Sequence, residues 1–194
     1  MTRFIPNALT TLRFVLIPVL LWTLVRCDRA ADAGLLVDRT RLVSLLVLVG
    51  IGLSDVLDGN LARRWNLVSR TGALMDAIAD KSAQFSALLY FTVFAGAAFT
   101  SFPSWLLLAV VLRDIVLGSG LLMLERVEAD PPVEHDVHGK LATVLIFVLI
   151  AWTIAGFDPR GVLIGSVTVV AVVTYSTSLY VRAGWRSYRA LGSS

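Results

Sequence analysis

Ser54-Asp55-Val56-Leu57-Asp58-Gly59-Asn60-Leu61-Ala62-Arg63 and, after eight intervening residues, Gly72-Ala73-Leu74-Met75-Asp76-Ala77-Ile78-Ala79-Asp80 place four aspartates inside otherwise apolar sequence. An ionised carboxylate in hydrocarbon costs at least ~2.5 kcal/mol, so four together require compensating charge. Asp55 and Asp58 are spaced i,i+3, and Asp76 and Asp80 i,i+4. On a helix either spacing sets both side chains on one face, a turn apart. Two such helices facing each other converge four carboxylates on one point. Oxygen-only donors select hard divalent cations, Mg²⁺, Mn²⁺ or Ca²⁺, over zinc, and this number of carboxylates suffices for two ions. A pair of such ions can clamp both ends of a phosphoryl transfer.

The surrounding chain reads as a membrane protein. Its 194 residues are 57% hydrophobic, with a mean hydropathy of +0.78, too apolar for a soluble domain of this length. Six stretches, near 8–26, 41–63, 72–97, 103–124, 139–157 and 161–182, are long enough to span a bilayer. They predict an all-α integral membrane protein, six transmembrane helices in one bundle, with residues 1–194 as a single membrane domain. The short connection from Arg64 to Thr71 makes the second and third helices an antiparallel hairpin with the carboxylates at its closed end. Pro6, Pro103, Pro131-Pro132 and Pro159 mark boundaries, Pro18 is expected to kink the first helix, and 125–138 reads as an exposed loop. Residues 8–26 follow a basic N-terminus as a signal peptide would. Arg13 interrupts the apolar run and no cleavage site follows, so this is expected to be a retained helix.

Charge and cysteine usage exclude several classes. A single cysteine, Cys27, rules out an intrachain disulfide and a cysteine-based zinc site. The net charge is +3, without the basic stripe and interleaved aromatics of a nucleic-acid surface, so anionic lipid headgroups or phosphate substrates are the expected partners. Nine basic residues fall in segments on the N-terminal side of the bundle and five on the other. The positive-inside rule then puts both termini and the carboxylates in the cytoplasm. The tryptophans lie mostly near helix ends, as in an aromatic belt.

Gly59 directly follows Asp58, and Gly72 lies one turn before Asp76, positions where a ligand or a neighbouring backbone can approach closely. Arg63, one turn beyond Gly59, suits a phosphate. The bland alternative, acids that merely neutralise Arg63, Arg64, Arg70 and Lys81, explains one aspartate better than four at these spacings. Asp55 to Asp80 reads D-x-x-D-G-x-x-A-R-x8-G-x-x-x-D-x-x-x-D without a mismatch. This resembles the signature of the CDP-alcohol phosphatidyltransferases. The resemblance extends to Ile5-Pro6-Asn7-Ala8-Leu9-Thr10-Thr11-Leu12-Arg13 and, more weakly, to Arg113-Asp114 and Gly139-Lys140-Leu141-Ala142-Thr143.

The resemblance implies a homodimeric membrane enzyme, in the bacterial inner membrane, that displaces CMP from CDP-diacylglycerol with an alcohol acceptor. It implies that Asp55, Asp58, Asp76 and Asp80 hold two divalent cations, Mg²⁺ or Mn²⁺, and that Asp80 is also the general base for the acceptor hydroxyl. Gly59, Ala62, Arg63 and Gly72 would line the cytidine diphosphate pocket. Within the family the chain is most like bacterial phosphatidylglycerophosphate synthases and cardiolipin synthases. The opening segment, Ala62-Arg63-Arg64-Trp65-Asn66 and Asp76-x-x-Ala79-Asp80-Lys81 carry that likeness. Those enzymes usually have proline after the third aspartate, where this chain has Ala77, as inositol-phosphate-using relatives also lack it.

Glycerol-3-phosphate is the expected acceptor, with phosphatidylglycerol and inositol phosphate as alternatives. A phosphorylated acceptor needs cations, and Arg113, Lys140 and Arg182 are the candidates. Each also has a structural reading, Arg113 paired with Asp114 and Lys140 and Arg182 as interface anchors. His135 and His138 read as surface residues. A cation transporter, the alternative from another class, would spread acids through the bundle at several depths instead of gathering them at one end of one hairpin.

Overall fold

Two glycines set where the chain reverses. Gly34 and Gly156 adopt φ of 70° and 74°, left-handed values that favour glycine. At each, two backbone bonds close the preceding helix: Gly34 N–H to Ala31 and Leu35 N–H to Ala30, then Gly156 N–H to Thr153 and Phe157 N–H to Trp152. Both are Schellman ends, with the proline that follows the second, Pro159, opening the next helix.

In the computed structural model the described backbone covers residues 5–64, 70–126 and 136–191, with side chains described for 11–54, 78, 81–120 and 141–185. It forms α1 (Ile5–Asp32), α2 (Asp38–Arg64), α3 (Arg70–Leu89) extended by a π-helical turn (Tyr90–Phe94), α4 (Ser104–Arg126), α5 (Asp136–Ala155) and α6 (Pro159–Leu191). There is no strand among the described residues. The six helices coincide with the six apolar stretches. They differ from them at the ends: α3 gives way to the π turn before 97, α6 runs on past 182, and α5 begins inside the expected 125–138 loop. Pro18 lies within an unbroken α1. Arg39 and Arg41, just before and at the start of the second apolar stretch, belong to the first turns of α2.

The surface matches an apolar surrounding. Val15, Trp22, Leu46, Leu53, Leu108, Ile115, Leu163 and Ile164 all face outward. Helical hydroxyls turn back onto their own backbone, as Thr23 does to Leu20, Ser44 to Thr40, Ser166 to Val162 and Thr177 to Val173. That is how a hydroxyl is satisfied without water. Among the described residues one helical segment, Pro159–Trp185, passes by length and composition alone as a span.

The chain divides into two compact units, Met1–Ser101 with Ile150–Pro159, and Phe102–Leu149 with Arg160–Ser194. In the second, α6 buries Val162, Ser166, Val169, Val173 and Ser176, a seam of alternating three- and four-residue steps. Close approach there is made at Gly120, against the Tyr180 ring, and at Gly165, against Leu149.

In the first unit α1 packs on both α2 and α3. One end of it is tied by a polar cluster that the sequence did not announce. Asp28, buried, accepts hydrogen bonds from the Tyr90 hydroxyl, from Gly96 N–H at 3.0 Å and from Ala98 N–H at 3.0 Å. Arg41 donates to the Ala98 carbonyl and lies over the Phe99 ring. A side chain at Gly156 would collide with that guanidinium. The π turn aims Tyr90 at Asp28 and stacks Phe91 edge-on against Phe99, with ring centroids 5.4 Å apart.

Candidate active site

Each helix of the first unit buries one narrow stripe. On α1 it is Arg13, Ile17, Leu20, Leu24 and Cys27; on α2 Ser44, Leu48 and Ile51; on α3 Gln84, Ala87, Leu88 and Phe91. The steps are threes and fours, so each stripe is one face of its helix. Continued by the same repeat, the α2 stripe reaches positions 55 and 58. Continued backwards by the same repeat, the α3 stripe reaches positions 80 and 77, with 76 beside it. Positions 55, 58 and 80 thus continue the register of the two faces that are buried further along.

Contacts between the stripes fix their relative heights. Leu16 on α1 stands against Gly50 on α2, and Cys27 against Arg41, an antiparallel pair. Asp28 on α1 meets Tyr90, which sets α1 parallel to α3. Arg13 has 0% of its surface exposed. A guanidinium that deep is tolerated only beside anionic or strongly accepting partners. Arg13 thus ends the otherwise apolar stripe described on α1 with a buried charge.

Gln84 follows Asp80 by one helical turn. It is 9% exposed, and neither its carboxamide oxygen nor its nitrogen has a hydrogen-bond partner among the described residues. Unmet buried polar atoms are costly, and Gln84 lies one helical turn from position 80. A donor set of four carboxylates, the chemistry of positions 55, 58, 76 and 80, fits a hard divalent cation.

Asp55, Asp58, Gly59, Ala62 and Arg63 are on α2, and Gly72, Asp76 and Asp80 on α3. Their side chains lie outside the described residues, as do those of Lys140 and His138 on α5; His135 lies outside them altogether. Among the described residues no three or more histidine, cysteine, aspartate or glutamate side chains gather as metal ligands. Arg113 is buried on α4 with its guanidinium 3.8 Å from Asp114, and Arg182 is exposed on α6. Both belong to the second unit.

Sequence reasoning did not single out the burial of Arg13 and Gln84. Arg13 was visible as a break in an apolar run and as the last residue of the opening segment that resembles the family. Its step of four to Ile17, followed by three to Leu20, was the available signal that it shares the buried face. Gln84 had one as well, its i+4 spacing from Asp80.

The model of the family described as CDP-alcohol phosphatidyltransferase matches residues 3–178. Over 140 residues the chain is 34% identical to a cardiolipin synthase (CMP-forming) of Streptomyces coelicolor, covering 72% of this chain and 59% of that one. Over 142 residues it is 30% identical to a CDP-diacylglycerol–glycerol-3-phosphate 3-phosphatidyltransferase of Aquifex aeolicus, covering 73% and 70%. A protein of the latter name from Escherichia coli is 27% identical over 148 residues, covering 76% and 75%.

Proposed function

Because the chain belongs to the CDP-alcohol phosphatidyltransferase family, we propose that it transfers the phosphatidyl group of CDP-diacylglycerol to glycerol-3-phosphate, releasing CMP and forming phosphatidylglycerophosphate. The observation that supports this reading is the fully buried Arg13 at the end of the α1 stripe, in a chain whose positions 55, 58, 76 and 80 all lie in helices. A polyanionic donor and a phosphorylated acceptor need a concentrated, mixed-charge floor.

In this reading the acceptor hydroxyl oxygen attacks the phosphorus that bears the diacylglycerol. The bond from that phosphorus to the CMP oxygen breaks, and the hydroxyl proton passes to Asp80. Asp55, Asp58, Asp76 and Asp80 would hold two divalent cations, Mg²⁺ or Mn²⁺, which supply charge neutralisation for the pyrophosphate. Gly59, Ala62 and Gly72 leave room for the cytidine diphosphate, and Arg63 contacts its phosphate. Arg113, Lys140 and Arg182 are the cations proposed for the acceptor phosphate. The six helices span the inner membrane as one domain, with termini and carboxylates in the cytoplasm, and the chain works as a homodimer.

The Streptomyces relative favours a second reading, in which phosphatidylglycerol is the acceptor and cardiolipin the product. An acceptor panel separates the two. Purified protein with CDP-diacylglycerol and Mg²⁺ is offered glycerol-3-phosphate, phosphatidylglycerol, inositol phosphate or serine, and CMP release is recorded. Release is expected with glycerol-3-phosphate, and Arg113→Ala is expected to raise the KM for that acceptor far more than for the donor. Release with phosphatidylglycerol and none with glycerol-3-phosphate overturns the acceptor and keeps the family chemistry.

A further inference from the structure

At the end of the first unit remote from the aspartates, a groove of about 470 Å³ runs between α1 and α3. Leu21 and Val25 form one wall, and Phe85, Leu89 and Phe94 the other. On α1 the lining continues by the same four-residue step to Arg29, so the groove follows the helix axis for about 12 Å. One end is apolar, and at the other Asp28, Tyr90 and the exposed Arg29 complete the lining. We propose that this groove seats one acyl chain of an anionic phospholipid of the far leaflet, with the lipid phosphate on Arg29. The inference rests on the reading that α1 and α3 cross a bilayer.

Three observations select this occupant. The groove is aligned with the helices, the direction a lipid chain takes beside a spanning helix. Asp28, next to Arg29, already accepts hydrogen bonds from Tyr90, Gly96 and Ala98, so its oxygens are engaged inside the protein. Arg29 is exposed, and its guanidinium has no partner among the described residues, which leaves it for an anion at the mouth. Arg26, one turn of three residues away, lies over the Trp22 ring at 4.9 Å, an aromatic and basic pair of the kind found at headgroup depth. An arginine suits a lipid phosphate through its forked donors. The donor lipid of the proposed reaction has its headgroup at the opposite end of these helices, so the cations here would serve a different molecule.

Photolabelling of the full chain in vesicles tests this. Phosphatidylcholine vesicles are doped with phosphatidylglycerol that carries a photoreactive acyl terminus, and labelled peptides are mapped after illumination. Label is expected to concentrate on peptides containing residues 21–29 and 85–94. Arg29→Glu should lower it at least about fivefold, the worth of one interfacial cation. Arg39→Glu, on an exposed position outside the groove, should not. Val25→Trp, which keeps Arg29 and fills the groove, should lower it as well. Equal labelling by photoreactive phosphatidylcholine, labelling of these peptides only by photoreactive CDP-diacylglycerol, or crosslinks between two copies through 85–94 would each overturn the proposal. Alkaline carbonate extraction keeps the two claims apart. A chain released by carbonate ends the spanning reading and the groove with it, whereas a retained chain with diffuse label ends the groove alone.

Discussion

Asp80→Asn is expected to reduce CMP release by ~10²–10⁴-fold, the usual contribution of a positioned general base. Asparagine keeps the size of aspartate and one oxygen, but it does not take up the acceptor proton at neutral pH. Donor binding should survive better than turnover, so the loss should fall on kcat. Asp55→Asn and Asp76→Asn are expected to act differently. Each removes a charge whose role is to hold the cation, so activity should recover in part as the Mg²⁺ concentration is raised. The three variants are compared by CMP release across Mg²⁺ concentrations and by equilibrium binding of CDP-diacylglycerol. Equal loss of CDP-lipid binding in all three would contradict a separate role for Asp80.

Asp28→Ala is expected to cost about 4 kcal/mol of stability and to leave the chemistry alone. It strips the partner from the Tyr90 hydroxyl and from two backbone N–H groups at 3.0 Å. Tyr90→Phe removes one donor and leaves the carboxylate with two, so its cost should be smaller, about 2 kcal/mol. The site at Asp55 lies fourteen residues along α2 from Arg41, or about 20 Å. Below their unfolding temperatures both variants should therefore release CMP at close to the parental rate. Thermal unfolding in detergent, with activity measured well below the transition, checks this. An Asp28→Ala protein that melts with the parent would show the cluster to be ornamental.

Helix existence was legible because each helix carries a long apolar stretch, most of them set off by prolines and polar residues that composition records. The aspartate spacings also carried through, since 55, 58, 76 and 80 all lie in helices. The polar cluster around Asp28 was not legible. It joins residues 28, 90, 96 and 98, and only tertiary register brings those together. Arg41 shows the same limit: by position it only opens the second apolar stretch, yet its guanidinium closes onto Ala98 and Phe99. Helix ends shifted where backbone geometry overrode hydropathy. The π turn at Tyr90–Phe94 is apolar enough to continue α3, but it turns the chain so that Tyr90 reaches Asp28. Arg13 is the most instructive miss. In sequence it interrupts an apolar helix, whereas in the structure it lies fully buried on the stripe of α1, where a guanidinium needs accepting partners.

The central claim is that a carboxylate-held divalent cation site transfers phosphatidyl groups from CDP-diacylglycerol. The most direct measurement is CMP release by the purified chain from CDP-diacylglycerol and glycerol-3-phosphate in Mg²⁺, then in excess EDTA, then after Mg²⁺ or Mn²⁺ is restored. Release is expected to proceed in Mg²⁺, to stop in chelator, and to return with either ion but not to depend on zinc. Undiminished release in chelator, or no release with metal and any acceptor of the panel, would contradict it.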